Sequence, residues 1–195
     1  MVQNRFEGIM LLPPLPPHAI PPLGQLHGLA RLLARTADRL AARTFAAGRL
    51  GPDALPRLHG QWHQAEDIDF TKLPPGFALK ASRGHANTRL VTAHDQVDPM
   101  ALRQAADRWL LREPGQRPRL FAEELLLGRN GAPALAWRFR LVGDRLEALS
   151  DAPPDPRLAT AAARLAAGLT HGLGCVRIRL HLVKGRVVFG SIRRE

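Results

Sequence analysis

Asp67-Ile68-Asp69-Phe70-Thr71-Lys72-Leu73-Pro74-Pro75-Gly76-Phe77-Ala78-Leu79-Lys80 begins as an acidic turn, halts at Pro74-Pro75-Gly76, and resumes as a short apolar strand ending on a lysine. Small and polar residues follow at once: Ser82, Arg83, Gly84, His85, Ala86 and Asn87. The backbone N–H groups of such a loop cradle an anion, and the lysine supplies a point charge. A lysine closing a strand is equally an ordinary solvated terminus, and a lone glycine an ordinary turn. Both readings stand on these residues alone.

Upstream, Pro13, Pro14, Pro16, Pro17, Pro21 and Pro22 mark a polyproline-like tail. A helix is expected from about Gln25 to Ala47. Leu26, Leu29, Leu32, Leu33, Ala37 and Leu40 form its apolar face, and Arg31, Arg35, Arg39 and Arg43 line another. Such a helix packs on its own domain with a wet arginine face, or lies on an anionic membrane or a partner. Leu58 to Trp62 reads as extended.

Downstream, Phe77–Ala81 and Thr88–Thr92 read as paired strands flanking the Gly84 loop. Asp98-Pro99 opens a helix, with Asp98 as N-cap and Pro99 in the first turn, and it runs to about Arg112. Glu113 to Arg117 is a Pro/Gly linker. Strands are expected over Arg119–Leu127, Ala134–Val142 and Arg145–Leu149, a helix over Pro156–Leu169, and a final hairpin of Cys175–Val183 and Arg186–Ile192 across Lys184-Gly185. Strands and helices come in blocks, so the fold class is α+β with mainly antiparallel sheets. The division is a Pro-rich tail over 1–24, a helical segment over 25–65, and two lobes over 66–115 and 116–195 that enclose a cleft.

The 195 residues carry a formal charge of +11 with 45% hydrophobic and 23% charged residues. Only Lys72, Lys80 and Lys184 are lysines, so arginine carries most of the excess. Such a surface favours anions, and a coding bias that turns lysine into arginine gives the same composition. The lone Cys175 excludes an intrachain disulfide and reads as a buried, inert thiol. No run of 18 uncharged apolar residues marks a membrane span, and the cytoplasm is the expected compartment.

Three other stretches bear on chemistry. In Ala122-Glu123-Glu124-Leu125, consecutive carboxylates on a strand point to opposite faces. One of them therefore faces inward or into a cleft, where it needs a partner, unless the strand is a wet edge. Trp137-Arg138-Phe139-Arg140 and Arg177-Ile178-Arg179-Leu180-His181 alternate, placing arginines on one face. Paired arginines grip phosphate or simply face water. His59 and His63 have a helical ligand spacing but flank Gly60 in an extended stretch, and no carboxylate completes a metal site. There is no Walker, Rossmann or nucleophile-elbow pattern.

Taken in order, these segments resemble the ATP-grasp superfamily in its teichuronopeptide-synthesis-like (TupA-like) branch, from about Ala37 to Ile192. Glu66-Asp67-Ile68-Asp69-Phe70…Leu73-Pro74…Phe77-Ala78-Leu79-Lys80 resembles the branch's E-D-I-D-F-x-x-L-P-x-x-F-V-L-K segment. Ala37-Asp38-Arg39…Arg43, Leu55-Pro56…Trp62, Arg119 to Leu125, Trp137-Arg138-Phe139 and Val176 to Gly190 are similar to its other conserved pieces in register. The resemblance implies two lobes clamping ATP, in enzymes that activate a carboxylate as an acyl phosphate for attack by an amine. It implies that Lys80 contacts phosphate under a loop containing Ser82, Gly84 and His85, and that Glu123, Glu124 and Leu125 border adenine and ribose. Arg138 stands where a lysine is expected, and Arg177 keeps the branch's arginine.

The departures are specific. The branch's metal-holding Asp and Glu fall on Arg179 and Ser191, the Asp before the aromatic falls on Ala136, and the chain stops at Glu195, short of the branch's usual end. Magnesium needs carboxylate oxygens, and without it the transferring phosphoryl group lacks its main stabiliser. The expectation is therefore a nucleotide- or anion-binding protein with weakened or lost ligase chemistry, no assigned catalytic residue and no metal ligand. Its substrates would be glycan or peptide, and no specific nucleic acid is expected. Two alternatives remain: a working carboxylate–amine ligase that recruits metal through Glu147, Glu195 or a partner chain, and a basic module contacting membrane or polyanion through residues 26–47.

Overall fold

The computed structural model describes residues 38–84, 86–112, 119–128, 131–142, 145–150, 155–170, 173 and 175–194. The Pro-rich tail, the expected helix before residue 38, and His85 lie outside the described residues.

The first described helix, α1, is Arg39–Leu50. The Asp38 side chain accepts from the Leu40 and Ala41 amides, satisfying donors that a helix start leaves open. Gly51, at φ 81, ends it. Two four-stranded antiparallel sheets follow. The first, ordered β1-β4-β2-β3, contains β1 (Leu58–Trp62), β2 (Phe77–Ala81), β3 (Thr88–Val91) and β4 (Leu120–Glu124). The second, ordered β6-β5-β7-β8, contains β5 (Leu135–Val142), β6 (Arg145–Ala148), β7 (Val176–Val183) and β8 (Arg186–Arg194). Helix α2 (Pro99–Leu111) packs on the first sheet, and α3 (Pro156–Thr170) packs with α1 on the second. The expected α+β class with antiparallel sheets is the observed one.

The chain distributes its sheets differently from the expected division. β1 comes from the 25–65 segment and β4 from the 116–195 segment, yet both are strands of the first sheet. The chain passes to the second sheet between Glu124 and Leu135, not at the Glu113–Arg117 linker. The reason is burial: Leu120 and Ala122 of β4 join Phe77, Leu79 and Ala81 of β2 beneath Leu102 and Ala106 of α2 in one apolar core. Asp98 caps α2 as its sequence indicates, accepting from the Met100 and Ala101 amides.

Period-2 alternation sets the second core. Trp137, Leu141, Val176, Ile178 and Leu180 face Phe45 and Ala46 of α1 and Ala162, Ala166 and Leu169 of α3. Burying Phe45 alone contributes about 1.5–3 kcal/mol. The apolar side of the described part of the 26–47 segment (Leu40, Ala42, Phe45, Ala46) is thus spent on the fold. The two arginines of that described part are not a wet face either, because Arg39 and Arg43 are half-buried and hydrogen-bonded. Cys175, expected buried, is exposed: it lies one residue ahead of β7, outside the core. Between β7 and β8, Lys184 (φ 47) and Gly185 (φ 81) form the two-residue turn whose twist suits a hairpin. Among the described residues, no helix is long and apolar enough to cross a membrane.

Candidate functional site

Lys80 and Glu123 project from the same face of the first sheet, opposite the face that α2 covers. Glu123 is 7% exposed. Its carboxylate is paired with the Lys80 ammonium and, at 3.5 Å, with the Arg43 guanidinium of α1. Arg43 also donates to the Pro56 carbonyl. This meets the expectation that one of the two consecutive carboxylates faces inward with a partner. Glu124 lies on the other face, where its carboxylate accepts from the Arg57 amide at 3.2 Å.

The loop after Lys80 is pinned from α1. Arg39 Nη1 donates to the Asn87 carbonyl (3.0 Å), the Thr88 hydroxyl (2.9 Å) and the Ala81 carbonyl (3.3 Å), and Nη2 donates to the Gly84 carbonyl (2.9 Å). Asn87 Nδ2 donates to the Arg83 carbonyl, and Gly84 adopts φ 78 beneath the Asn87 side chain, where a Cβ would stand 2.1 Å from Nδ2. Ser82 is fully buried, with its hydroxyl accepting from the Arg119 amide at 3.0 Å.

The second sheet contributes its charged face. Register places Arg138 opposite Arg179, Arg140 opposite Arg177, Arg177 opposite Arg193, and Arg179 opposite Ser191. Arg138, Arg179 and Arg193 form no salt bridge with a described residue. His181 continues the same face and lies against Gly190, where a Cβ would come within 2.5 Å of its ring. Its Nδ1 is buried without a hydrogen-bond partner among the described residues. Burial lowers its pKa from the usual imidazole range, helped by Arg179 and Lys80 and opposed by the Ala134 backbone and Glu123. Arg193 is lowered by burial and by Arg179, while Arg39 is lowered by burial and by Arg193, with Glu123 opposing. Lys80, Glu123, Arg39, Arg179, His181 and Arg193 are thus near enough to influence one another, on the sides of the two sheets that border the cleft.

Beyond His181 the same face turns apolar. Ala134, Val183 and Val188 are buried together, with Leu126 packed against them. Leu126 comes from the segment joining the two sheets. A separate shallow apolar hollow, lined by Phe70, Leu73, Pro74, Pro75, Phe77 and Val97, shares no residue with the cleft.

No family model and no curated protein matches the sequence. Solved structures match the fold. Phosphoribosylamine–glycine ligase from Thermotoga maritima aligns at a TM-score of 0.61 and 12% identity, covering 86% of this chain and 49% of that one. D-alanine–D-alanine ligase from Bacillus anthracis complexed with ATP gives 0.58 and 12%, covering 87% and 60%. A RimK domain ATP-grasp protein from Sphaerobacter thermophilus gives 0.51 and 19%, covering 84% and 59%. The chain has the ATP-grasp fold. It spans about half the length of the structures it matches.

Within this ATP-grasp frame, the residues singled out in the sequence separate into three groups. Lys80 and Glu123 meet in the cleft, and Arg138 and Arg177 stand on the charged face of the second sheet. Gly84 shapes the pinned loop. Ser82 and Glu124 are directed elsewhere, and the Leu125 side chain lies by Gly76. Arg193 and His181 were not among the singled-out site residues. Arg193 continues the period-2 pattern from Ser191 but falls past the expected end of the strand, and His181 ends the alternating arginine row. Arg179 and Ser191, where the resemblance implies metal-holding carboxylates, are direct cross-strand partners. Glu147 lies at the edge strand, 4.0 Å from Arg145 Nε. Among the described residues, no three His, Cys, Asp or Glu side chains converge to hold a metal ion.

Proposed function

We propose that this chain is a nucleotide- or anion-binding protein on an ATP-grasp frame, related to ligases of polysaccharide or teichuronopeptide biosynthesis, with weakened or lost ligase chemistry. The observation that carries the reading is the pair Arg179↔Ser191, on the same face of the second sheet as His181, which also feels the Lys80 charge. In this reading ATP fits the donor set. The apolar wall of Leu126, Ala134 and Val183 takes a base, and Lys80 with the arginines of β7 and β8 takes phosphate. Bound ATP would supply a transferable phosphoryl group. A guanidinium and a hydroxyl do not make a magnesium site, so no transfer step is assigned.

Calorimetry with ATP tests this. We expect binding, about tenfold weaker in Lys80→Ala, with no ADP release when carboxylate and amine compounds are supplied. Failure to bind ATP overturns the nucleotide reading. Turnover with ADP release overturns the loss of chemistry and restores the working ligase.

A further inference from the structure

Three of the arginines facing the cleft have no acidic partner among the described residues, and the sheet places them side by side. Arg138 lies directly across from Arg179, and Arg193 lies one pair further along β8, opposite Arg177. Like charges directly opposite on neighbouring strands destabilise a sheet. Arg193 is exposed at the sheet surface, directly opposite Arg177, and Arg179 is near enough to disfavour its charged form further. An anion drawn between these guanidiniums offsets both effects. A divalent cation brought to the same place adds to them, and finds at Arg179 and Ser191 no carboxylate to hold it.

From this disagreement between the frame and its residues, we infer that the cleft takes a polyphosphate free of metal and discriminates against its magnesium complex. Arg179 and Arg193 are the fixed positive charges that make the selection. The inference rests on the nucleotide reading above only for the base. The phosphate part stands on the arginines. A triphosphate tail carries more negative charge free than when chelated, because the bound metal neutralises part of it. Attraction to the arginines therefore falls on chelation. Lys80 contributes less, because Glu123 already balances it.

The test uses the full chain at constant low ionic strength, where screening is weakest. Binding of ATP and of inorganic tripolyphosphate is measured by calorimetry with EDTA and again with excess magnesium chloride. The salt difference is matched with sodium chloride. Magnesium should weaken both ligands by about tenfold. Arg179→Asp should reverse the dependence, so that magnesium strengthens binding. Arg179→Gln should weaken metal-free binding and flatten the response. Arg164→Gln, on the exposed surface of α3, removes the same net charge and should leave the response unchanged. Affinity that is unchanged or increased by magnesium in the unaltered chain overturns the inference and leaves nucleotide binding intact. Tripolyphosphate binding without ATP binding has the opposite meaning: the inference holds and the nucleotide reading fails. Equal weakening by Arg164→Gln and Arg179→Gln reduces the effect to net charge and also overturns it.

Discussion

On the first sheet's side of the cleft, Lys80 and Arg43 share the Glu123 carboxylate, whereas Arg138, Arg179 and Arg193 on the second sheet's face share none with a described residue. Both sides are cationic in sequence. Only one is compensated in structure, and compensation decides what a charge is for. A half-buried lysine paired with a buried carboxylate is part of the fold's own electrostatics. Unpaired arginines held opposite one another are a liability to the sheet and an attraction to an anion.

The sharpest way to break this comparison is Glu123→Gln. It leaves two half-buried cations without their counter-charge, and should cost about 3–5 kcal/mol in urea unfolding. A loss under 1 kcal/mol would mean that the pair is no more than a surface contact. Arg39→Ala comes next. Four oxygens in and around the loop each lose one donor, two of them keeping a backbone amide, and a loss on the order of 2 kcal/mol is expected, with faster proteolysis near Gly84. Arg138→Thr tests the other sheet, where the sign reverses. Removing one of two facing arginines should stabilise the protein by about 0.2–1 kcal/mol while weakening anion binding. Destabilisation there would show that the arginine face is structural after all.

The smallest effect is with pH. Burial lowers His181 below its unfolded value, so the unfolded chain binds more protons as acid is added. Its contribution to stability is therefore full above about pH 6.5 and is lost as pH falls towards its lowered pKa. A melting-temperature series from neutral to acid should decline less for His181→Asn than for the unaltered chain. His59, also lowered by burial, acts in the same direction and remains in both.

Sequence revealed these elements because their signals are local. Asp98-Pro99 starts α2, Lys184-Gly185 turns the hairpin, and alternation in Trp137-Arg138-Phe139-Arg140 separates core from cleft. The likeness to ATP-grasp proteins was also legible, through the ordered motifs around Asp67 to Lys80. Sheet membership was not. β4 follows a Pro/Gly linker that reads as a boundary, and its pairing with β1 and β2 depends on residues 39 to 65 positions away, which no local pattern encodes. Alternation put Glu123 and Glu124 on opposite faces, but could not say whether the strand was a wet edge or, if not, which of them faced inward, because that is a matter of pairing and register. The resemblance placed Ser82 in the loop that covers the phosphate. Its hydroxyl instead serves the Arg119 amide, a partner 37 residues away.

Helix α1 begins with Arg39 bonded into the loop of the first sheet and continues with Phe45 and Ala46 buried against the second. Mechanically this makes it a strut. The two jaws of the clamp cannot spread as independent bodies, because opening must either pull the guanidinium from its four oxygens or lift the helix from its bed. Hydrogen exchange at the loop amides, such as Ala81 on the Asn87 carbonyl and Asn87 on the Gly84 carbonyl, should therefore keep time with the release of α1 rather than with local loop motion.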